Sequence, residues 1–331
     1  MTSSNRPDDR LRFARNFGFR NDLTALPADA SARQYFRLST SDFGPCMLMD
    51  VPPTTPGFSE YIQIAEYLRD NHFSAPKVYA TDAKKGFALI EDFGDTTYTN
   101  LLKRGHDETE LYELAIDVLA TFHDMPCPLH LEVPNYDETR LLTEAMLLPE
   151  WFAPTLPHAQ ALPEFHNAYQ ALWHTALRTI SERRDTLVFR DFHIDNLMLL
   201  DARDGHSKCG LLDFQDAMIG GAAYDVMSLL QDARRDVPPA LETKMIERYL
   251  AQRPNIDAEQ FMLDYHLYAA QRHSKIAGIF HRLNKRDGKS VYLHHMPRVL
   301  RQLQNSLKHA NLNDISELLE HHLGDWARAA D

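Results

Sequence analysis

A chain of 331 residues with 44% apolar side chains can bury a sizeable core, as one large domain or as two lobes, and disorder is not its default. Its formal charge of −12 argues against a nucleic-acid partner, whose phosphates demand a cationic surface. No apolar run approaches the roughly 18–20 residues that cross a bilayer, the opening MTSSNRPDDRLRFARN lacks the apolar stretch of a secretory signal, and Cys46, Cys127 and Cys209 form no CxxC pair. Together these predict reduced thiols, a cytoplasmic location and no membrane partner.

Pro7 is placed to start a short helix over about 7–17. QYFRLST (34–40) and PCMLMDV (45–51) alternate like strands around SDFG and predict a hairpin. PPTTPG then breaks the chain, and Phe58, Tyr61, Ala65 and Leu68 mark one face of a helix running to about Asn71. KVYAT and GFALIED predict two more strands across DAKK. After EDFGD (91–95) the pattern turns helical, with Asp107 and Glu110 resembling a capping box before Leu111, Leu114, Val118 and Phe122. Helical periodicity returns near 137–148, 160–182, 222–234, 239–252, 257–284 and 296–309, interrupted by the strand-like TLVF, NLMLL and CGLLDF. The expected organisation is α+β and two-lobed: a small β-rich N-lobe over 1–93 and a large helical C-lobe over 94–331. The lobe boundary falls near Phe93–Thr97, and the cleft there is the expected ligand site.

Asp191 and Asn196 stand five positions apart in VFRDFHIDNLMLL (188–200), and Asp213 ends the apolar run of GLLDFQDA. Their order and spacing match the D-x-x-x-x-N and D-F-G segments of protein kinases. The chemistry needs these residue types: a carboxylate to accept the proton of an attacking hydroxyl, and an amide oxygen and a second carboxylate to hold Mg²⁺, which takes hard oxygen ligands. Any one of the three alone reads better as a turn residue ending a buried strand. Three at this spacing, after a small sheet, reverse that balance.

VFRDFHIDNLMLL and LLDFQDAMIGGAAYD resemble the phosphotransferases of the aminoglycoside and choline kinase type, which share the protein-kinase fold. ALIEDFGD resembles their interlobe hinge and AAYDVMSLL the helix after their metal loop. DASARQYFRL, LLQDARRDV and AAQRHSKIAGIFHRLNKRDGKSVYLHHMPRVL narrow the resemblance to the bacterial N-acetylmuramate/N-acetylglucosamine anomeric kinases. Those enzymes phosphorylate the C1 hydroxyl of recycled cell-wall amino sugars. The resemblance implies a two-lobed protein-kinase-like fold, ATP as phosphoryl donor, Mg²⁺, and an amino sugar as acceptor, with no obligate protein partner. It also implies roles for residues: Asp191 as catalytic base, Asn196 and Asp213 on the metal, and backbone groups of Glu91 and Phe93 on adenine. Ser31, in the glycine-free loop PADASARQ, would approach phosphate through its backbone. His193, two residues beyond the base, faces either the sugar or its own loop, and Arg234, Arg272 and Lys275 are the candidates for the lactyl carboxylate of muramate.

Two departures from the kinase pattern stand out. The histidine that commonly precedes the catalytic Arg-Asp pair is Phe189, acceptable if the role is to pack the loop. Asp50 lies where the phosphate-binding lysine is expected, and no lysine precedes Lys77, so either Arg33 or Arg37 supplies the cation, the preferred reading, or the chain is a degenerate kinase that binds nucleotide weakly. An aminoglycoside or amino-alcohol phosphotransferase, or a non-catalytic nucleotide-binding protein, are the alternatives. The 17 histidines show no HxxxH or HExxH spacing and predict no metal cluster.

Overall fold

The computed structural model describes residues 5–19, 23–26, 33–38, 43–157 and 159–328. Two compact units emerge. The first holds the chain up to Val118 with His130–Glu132 and Ile194–Ala217, and the second holds Leu119–Leu129, Val133–His193 and the chain from Met218 onward. Among the described residues no helix is long and apolar enough to cross a membrane.

In the first unit, helix α1 (Arg6–Arg15) starts at Pro7 and precedes a four-stranded antiparallel sheet. Its strands are β1 (Gln34–Leu38), β2 (Cys46–Asp50), β3 (Val78–Asp82) and β4 (Phe87–Glu91), in the order β1-β2-β4-β3. Side chains alternate between faces with period two. Phe36, Leu38, Cys46, Leu48, Phe87 and Leu89 point to one face and pack with Phe13, Ala14 and Phe19 into an apolar core. The register pairs Tyr35 with Met49 and Arg37 with Met47, and sets Met49 and Met47 opposite Ala88 and Ile90, so these six form the other face. Helix α2 (Phe58–Asp70) buries Tyr61, Ile64, Ala65 and Leu68. After α3 (Tyr98–Lys103), the unit includes the start of α4 (Glu108–His123), where Asp107 accepts from the Thr109 and Glu110 amides at 2.7 and 3.2 Å. It closes with a hairpin of β6 (Leu197–Leu199) and β7 (Cys209–Leu211).

The alternation corrects the reading of Asp50. It shares its face with Cys46 and Leu48 and is only 2% exposed. Its carboxylate accepts from Arg6 Nε at 2.9 Å and Arg10 Nη1 at 2.8 Å. The two guanidinium groups also lie over the Phe87 and Phe36 rings, at 4.9 and 3.9 Å from their centroids. Asp50 is thus the acid that docks α1 onto the sheet.

The second unit is mainly helical: α5 (Glu138–Ala145), α6 (Leu162–Leu177), α7 (Ala223–Leu230), α8 (Pro239–Gln252), α9 (Ala258–Asp287), α10 (Met296–His309) and α11 (Asn313–Leu323). Its two strands, β5 (Thr186–Val188) and β8 (Met218–Gly220), pair antiparallel. The 30-residue α9 is capped at its start by Asp257 and ended by Gly288 at φ +69°. Gly278 lets it approach the chain before the next turn, since a Cβ there would fall 2.2 Å from the Leu147 carbonyl oxygen. The sequence pattern anticipates α5, α8, α9 and α10 within a few residues, overruns α6 and misses α11. It overruns α7, which stops at Gln231 because that residue leaves the helical region.

Removing the Asp50 charge leaves Arg6 and Arg10 facing each other over a buried amide. Asp50→Asn is expected to lower stability by on the order of 2–4 kcal/mol in urea unfolding, and wild-type stability would contradict the docking role.

Candidate active site

A cavity of about 350 Å³ opens in the first unit, under the face of the sheet that carries Tyr35, Met47 and Ile90. Glu91, Phe93 and Gly94 line one part of it, and Asn196 and Asp213 another. The Glu91 carboxylate is engaged, 2.5 Å from Arg203 Nη2 and 3.1 Å from the Lys77 amide, while the Arg203 guanidinium lies 5.0 Å from the Phe93 ring centre. Only backbone groups of this segment are therefore left for a ligand. Among the described residues the Phe93 N–H donates to no partner, whereas its neighbours do: Asp92 N–H to Pro45 O at 3.1 Å, and Gly94 N–H to Asp92 Oδ1 at 2.8 Å.

Asn196 and Asp213 come together through the β6–β7 pairing, which sets Leu197 opposite Leu211 and lets the Leu212 amide donate to Asn196 O at 3.0 Å. Asp213 has φ +58°, a left-handed conformation uncommon outside glycine, and its side chain is 49% exposed. Phe214 anchors the turn by stacking on Tyr61 of α2 at 5.0 Å. A half-exposed carboxylate and an amide on one wall make a donor set of hard oxygens, which fits Mg²⁺ with room for phosphate and water ligands. Arg33 Nη1 lies 3.2 Å from Asp213 Oδ1, and Nη2 lies 3.7 Å from Asp216 Oδ2. Arg37 is placed otherwise. Its Nε lies 2.5 Å from Asp92 Oδ2 and its Nη2 3.0 Å from Asp95 Oδ1, so it ties β1 to the segment after β4. Ser31 lies outside the described residues. Asp195 accepts from the Thr99 hydroxyl and so braces its loop.

In the second unit the chain leaves β5 as Phe189-Arg190-Asp191. Asp225 of α7, fully buried, accepts from the Phe189 amide at 2.7 Å and the Arg190 amide at 3.0 Å. It is a brace for this loop, and Arg190 is held at φ +69°. Phe189 stacks between Phe122 and Phe192, at 4.9 and 5.7 Å, the packing role that an aromatic at this position requires. Arg190 pairs with Glu144 of α5, which also accepts from Lys275 Nζ at 2.9 Å and from the Tyr136 hydroxyl. Arg272 donates to Arg190 O at 2.8 Å and Tyr224 OH at 2.9 Å, and its Nη2 stands 3.4 Å from Asp191 Oδ1.

These contacts set the charges. Burial acts to raise the Asp191 pKa, but Arg272, then Lys275, His193 and Arg190, outweigh it and hold the carboxyl well below its usual range. Its side chain keeps 43% exposure, so an ionised carboxylate is open to a ligand. Burial likewise opposes ionisation of Glu144, and Lys275 and Arg190 overcome it, bringing that carboxyl down to about 2. Asp225 goes the other way: burial pushes it up to about 7 against the pull of the two amides.

Of the residues expected at the sugar, Arg272 is buried against Arg190 and Asp191, and Lys275 is half-buried on Glu144. His193 is 8% exposed and acts on Asp191, and Arg234 is exposed after α7, its amide donating to Asp232 at 2.8 Å. Sequence reasoning missed Glu144, Tyr136 and Tyr224, which carry no motif.

The phosphotransferase enzyme family matches residues 22–261 of the chain. An N-acetylmuramate/N-acetylglucosamine kinase of Caulobacter vibrioides is 36% identical over 314 residues, covering 83% of this chain and 85% of that protein. One from Neisseria meningitidis is 32% identical, covering 92% and 91%. Among solved structures, a putative aminoglycoside phosphotransferase from Ralstonia eutropha superposes with a TM-score of 0.62 over 92% of this chain and 98% of its own, at 15% identity, a likeness of fold. The small sheet and mostly helical remainder are thus those of the protein-kinase-like phosphotransferases.

Arg272 supplies the largest attraction that keeps Asp191 ionised. Arg272→Met raises the Asp191 pKa, so kcat/KM should fall toward acid pH where the wild type stays level. A profile between pH 5 and 7 checks this, and superimposable curves would count against it. Asp225→Ala frees both amides of the loop and should lower kcat on the order of 100-fold with the nucleotide KM unchanged.

Proposed function

The chain belongs to the phosphotransferase enzyme family, and on that premise we propose that it transfers the γ-phosphoryl group of ATP to the C1 hydroxyl of N-acetylmuramate and N-acetylglucosamine. Such a reaction serves peptidoglycan recycling in the cytoplasm. The observation that carries the reading is the conjunction of the Asp191, Asn196 and Asp213 motif with relatives of that activity aligned over more than four-fifths of the chain.

In this reading the C1 oxygen attacks the γ-phosphorus, the bond to the β,γ-bridging oxygen breaks and ADP leaves. The hydroxyl proton passes to Asp191, whose depressed pKa keeps it ionised and able to orient the nucleophile. Asn196 and Asp213 hold Mg²⁺, which when bound neutralises charge on the phosphates. The Phe93 N–H and the Glu91 carbonyl meet the adenine edge, and positioning of both substrates supplies most of the rate. His193 and Arg234 are the candidates on the acceptor side. A cationic acceptor such as an aminoglycoside suits the loop less well, because Arg272, Lys275 and Arg190 all bear on Asp191.

Incubation with Mg·ATP and a panel of N-acetylmuramate, N-acetylglucosamine, kanamycin and choline tests the reading by ³¹P NMR. A sugar 1-phosphate signal is expected with the first two acceptors and should vanish in Asp191→Asn, which still binds ATP. Turnover only on kanamycin or choline would replace the acceptor, and undiminished turnover in Asp191→Asn would remove the base.

A further inference from the structure

A nucleotide triphosphate carries several negative charges, and protein kinases meet them with a lysine on the strand corresponding to β2. The strand register shows why that residue is absent here and what stands in its place. The pocket face of β2 carries Met47 and Met49, while Asp50 is turned to α1. A lysine serving the pocket would therefore occupy position 47 or 49, and both residues are apolar methionines. Directly opposite Met49 on β1 stands Tyr35, two residues from Arg33. Among the described residues that line the cavity, Arg33 is the one cation.

We infer that Arg33, oriented by Tyr35, is the phosphate-binding cation of this chain, its role having moved from the second strand of the sheet to the entrance of the first; the inference rests on the phosphoryl-transfer reading above. The site is built to hold it. The Arg33 side chain is 10% exposed, and it stands two residues before Tyr35, with its charge bearing on that hydroxyl. Gly57, whose φ of +97° calls for glycine, lies alongside: a Cβ there would be in ordinary contact with Arg33 Nη2 at 3.4 Å. The guanidinium rests on Asp213 and Asp216, beside the oxygens assigned to the metal, which is where the phosphates must come. Its fork of donors suits two phosphate oxygens at once. Arg37, by contrast, is not among the residues that line the cavity and is tied to Asp92 and Asp95 instead.

Calorimetric titration of the full chain with ADP, and separately with adenosine, tests the inference. Arg33→Gln should weaken ADP binding about 10–100-fold and leave adenosine binding unchanged. Tyr35→Phe, which keeps the ring and the fold, should weaken ADP binding by several-fold with adenosine again unchanged. Met49→Lys placed in the Arg33→Gln background should recover ADP affinity. Unchanged ADP affinity in Arg33→Gln overturns the inference, as does an equal loss for adenosine, which would mark a change of pocket shape. Failure of Met49→Lys to recover affinity overturns the strand-face assignment. If the wild type binds neither ADP nor adenosine, the phosphotransfer reading itself fails, an outcome distinct from the others.

Discussion

The arrangement around Asp191 depends on charge balance in a place with little water. Arg190, Arg272 and Lys275 keep only 13%, 9% and 13% of their side chains exposed, and Asp191 and Glu144 answer them. Burying any one of these groups alone costs several kcal/mol, so each requires the others to be in place. The geometry follows from that constraint. Asp225 fixes the backbone, Glu144 draws Arg190 and Lys275 to one side, and Arg272 remains to bridge the Arg190 carbonyl and the Asp191 carboxylate. The half-exposed Asp191 is thereby ionised and aimed by groups that never meet substrate.

The same economy governs the sheet of the first unit. One buried carboxylate, Asp50, takes two arginines of α1 and turns the face it occupies into core. The opposite face lines the cavity sparsely, with Tyr35 beside methionine and isoleucine, and Arg33, Glu91, Asn196 and Asp213 supply further polar side chains to the cavity. Apolar walls favour a flat base, and the few polar groups sit at the margins of the cavity.

Much of this was legible in the sequence and some was not, for physical reasons. Strand alternation and helical periodicity are local signals, so β1 to β4, α2 and the long helices can be read from residue spacing. The trio Asp191, Asn196 and Asp213 is legible because its spacing is dictated by chemistry carried on one short stretch of chain. The six-residue α3 and three-residue β8 are too short to show a period. Glu144 is hidden for another reason: it lies 46 residues from Arg190 and 131 from Lys275, and nothing local distinguishes it from a solvated helix acid. The contacts of Arg272 and Lys275 are hidden in the same way, because their partners are equally remote. Asp50 illustrates the limit of counting along a strand: a displacement of one residue reverses the face, and only the register decides which residue the pocket sees.

Backbone strain marks the same two places. Of the described non-glycine residues at positive φ, Arg190 and Asp213 are the two inside the motifs. A left-handed residue with a Cβ costs on the order of 1 kcal/mol or more, and glycine would remove the cost at once. Glycine would also remove the guanidinium that pairs with Glu144 and the carboxylate that faces the cavity, so the strained residue has to stay. It persists because its surroundings over-determine it: hydrogen bonds from the Phe189 and Arg190 amides to Asp225 lock the turn at Arg190, and the Leu212 N–H to Asn196 O bond with the Phe214–Tyr61 stack locks the turn at Asp213. The braces are deeply buried while the side chains they aim reach solvent or a partner at its edge. Rigidity and reactivity are thereby assigned to different residues, which lets a strained turn present a charged group without surrendering the fold around it.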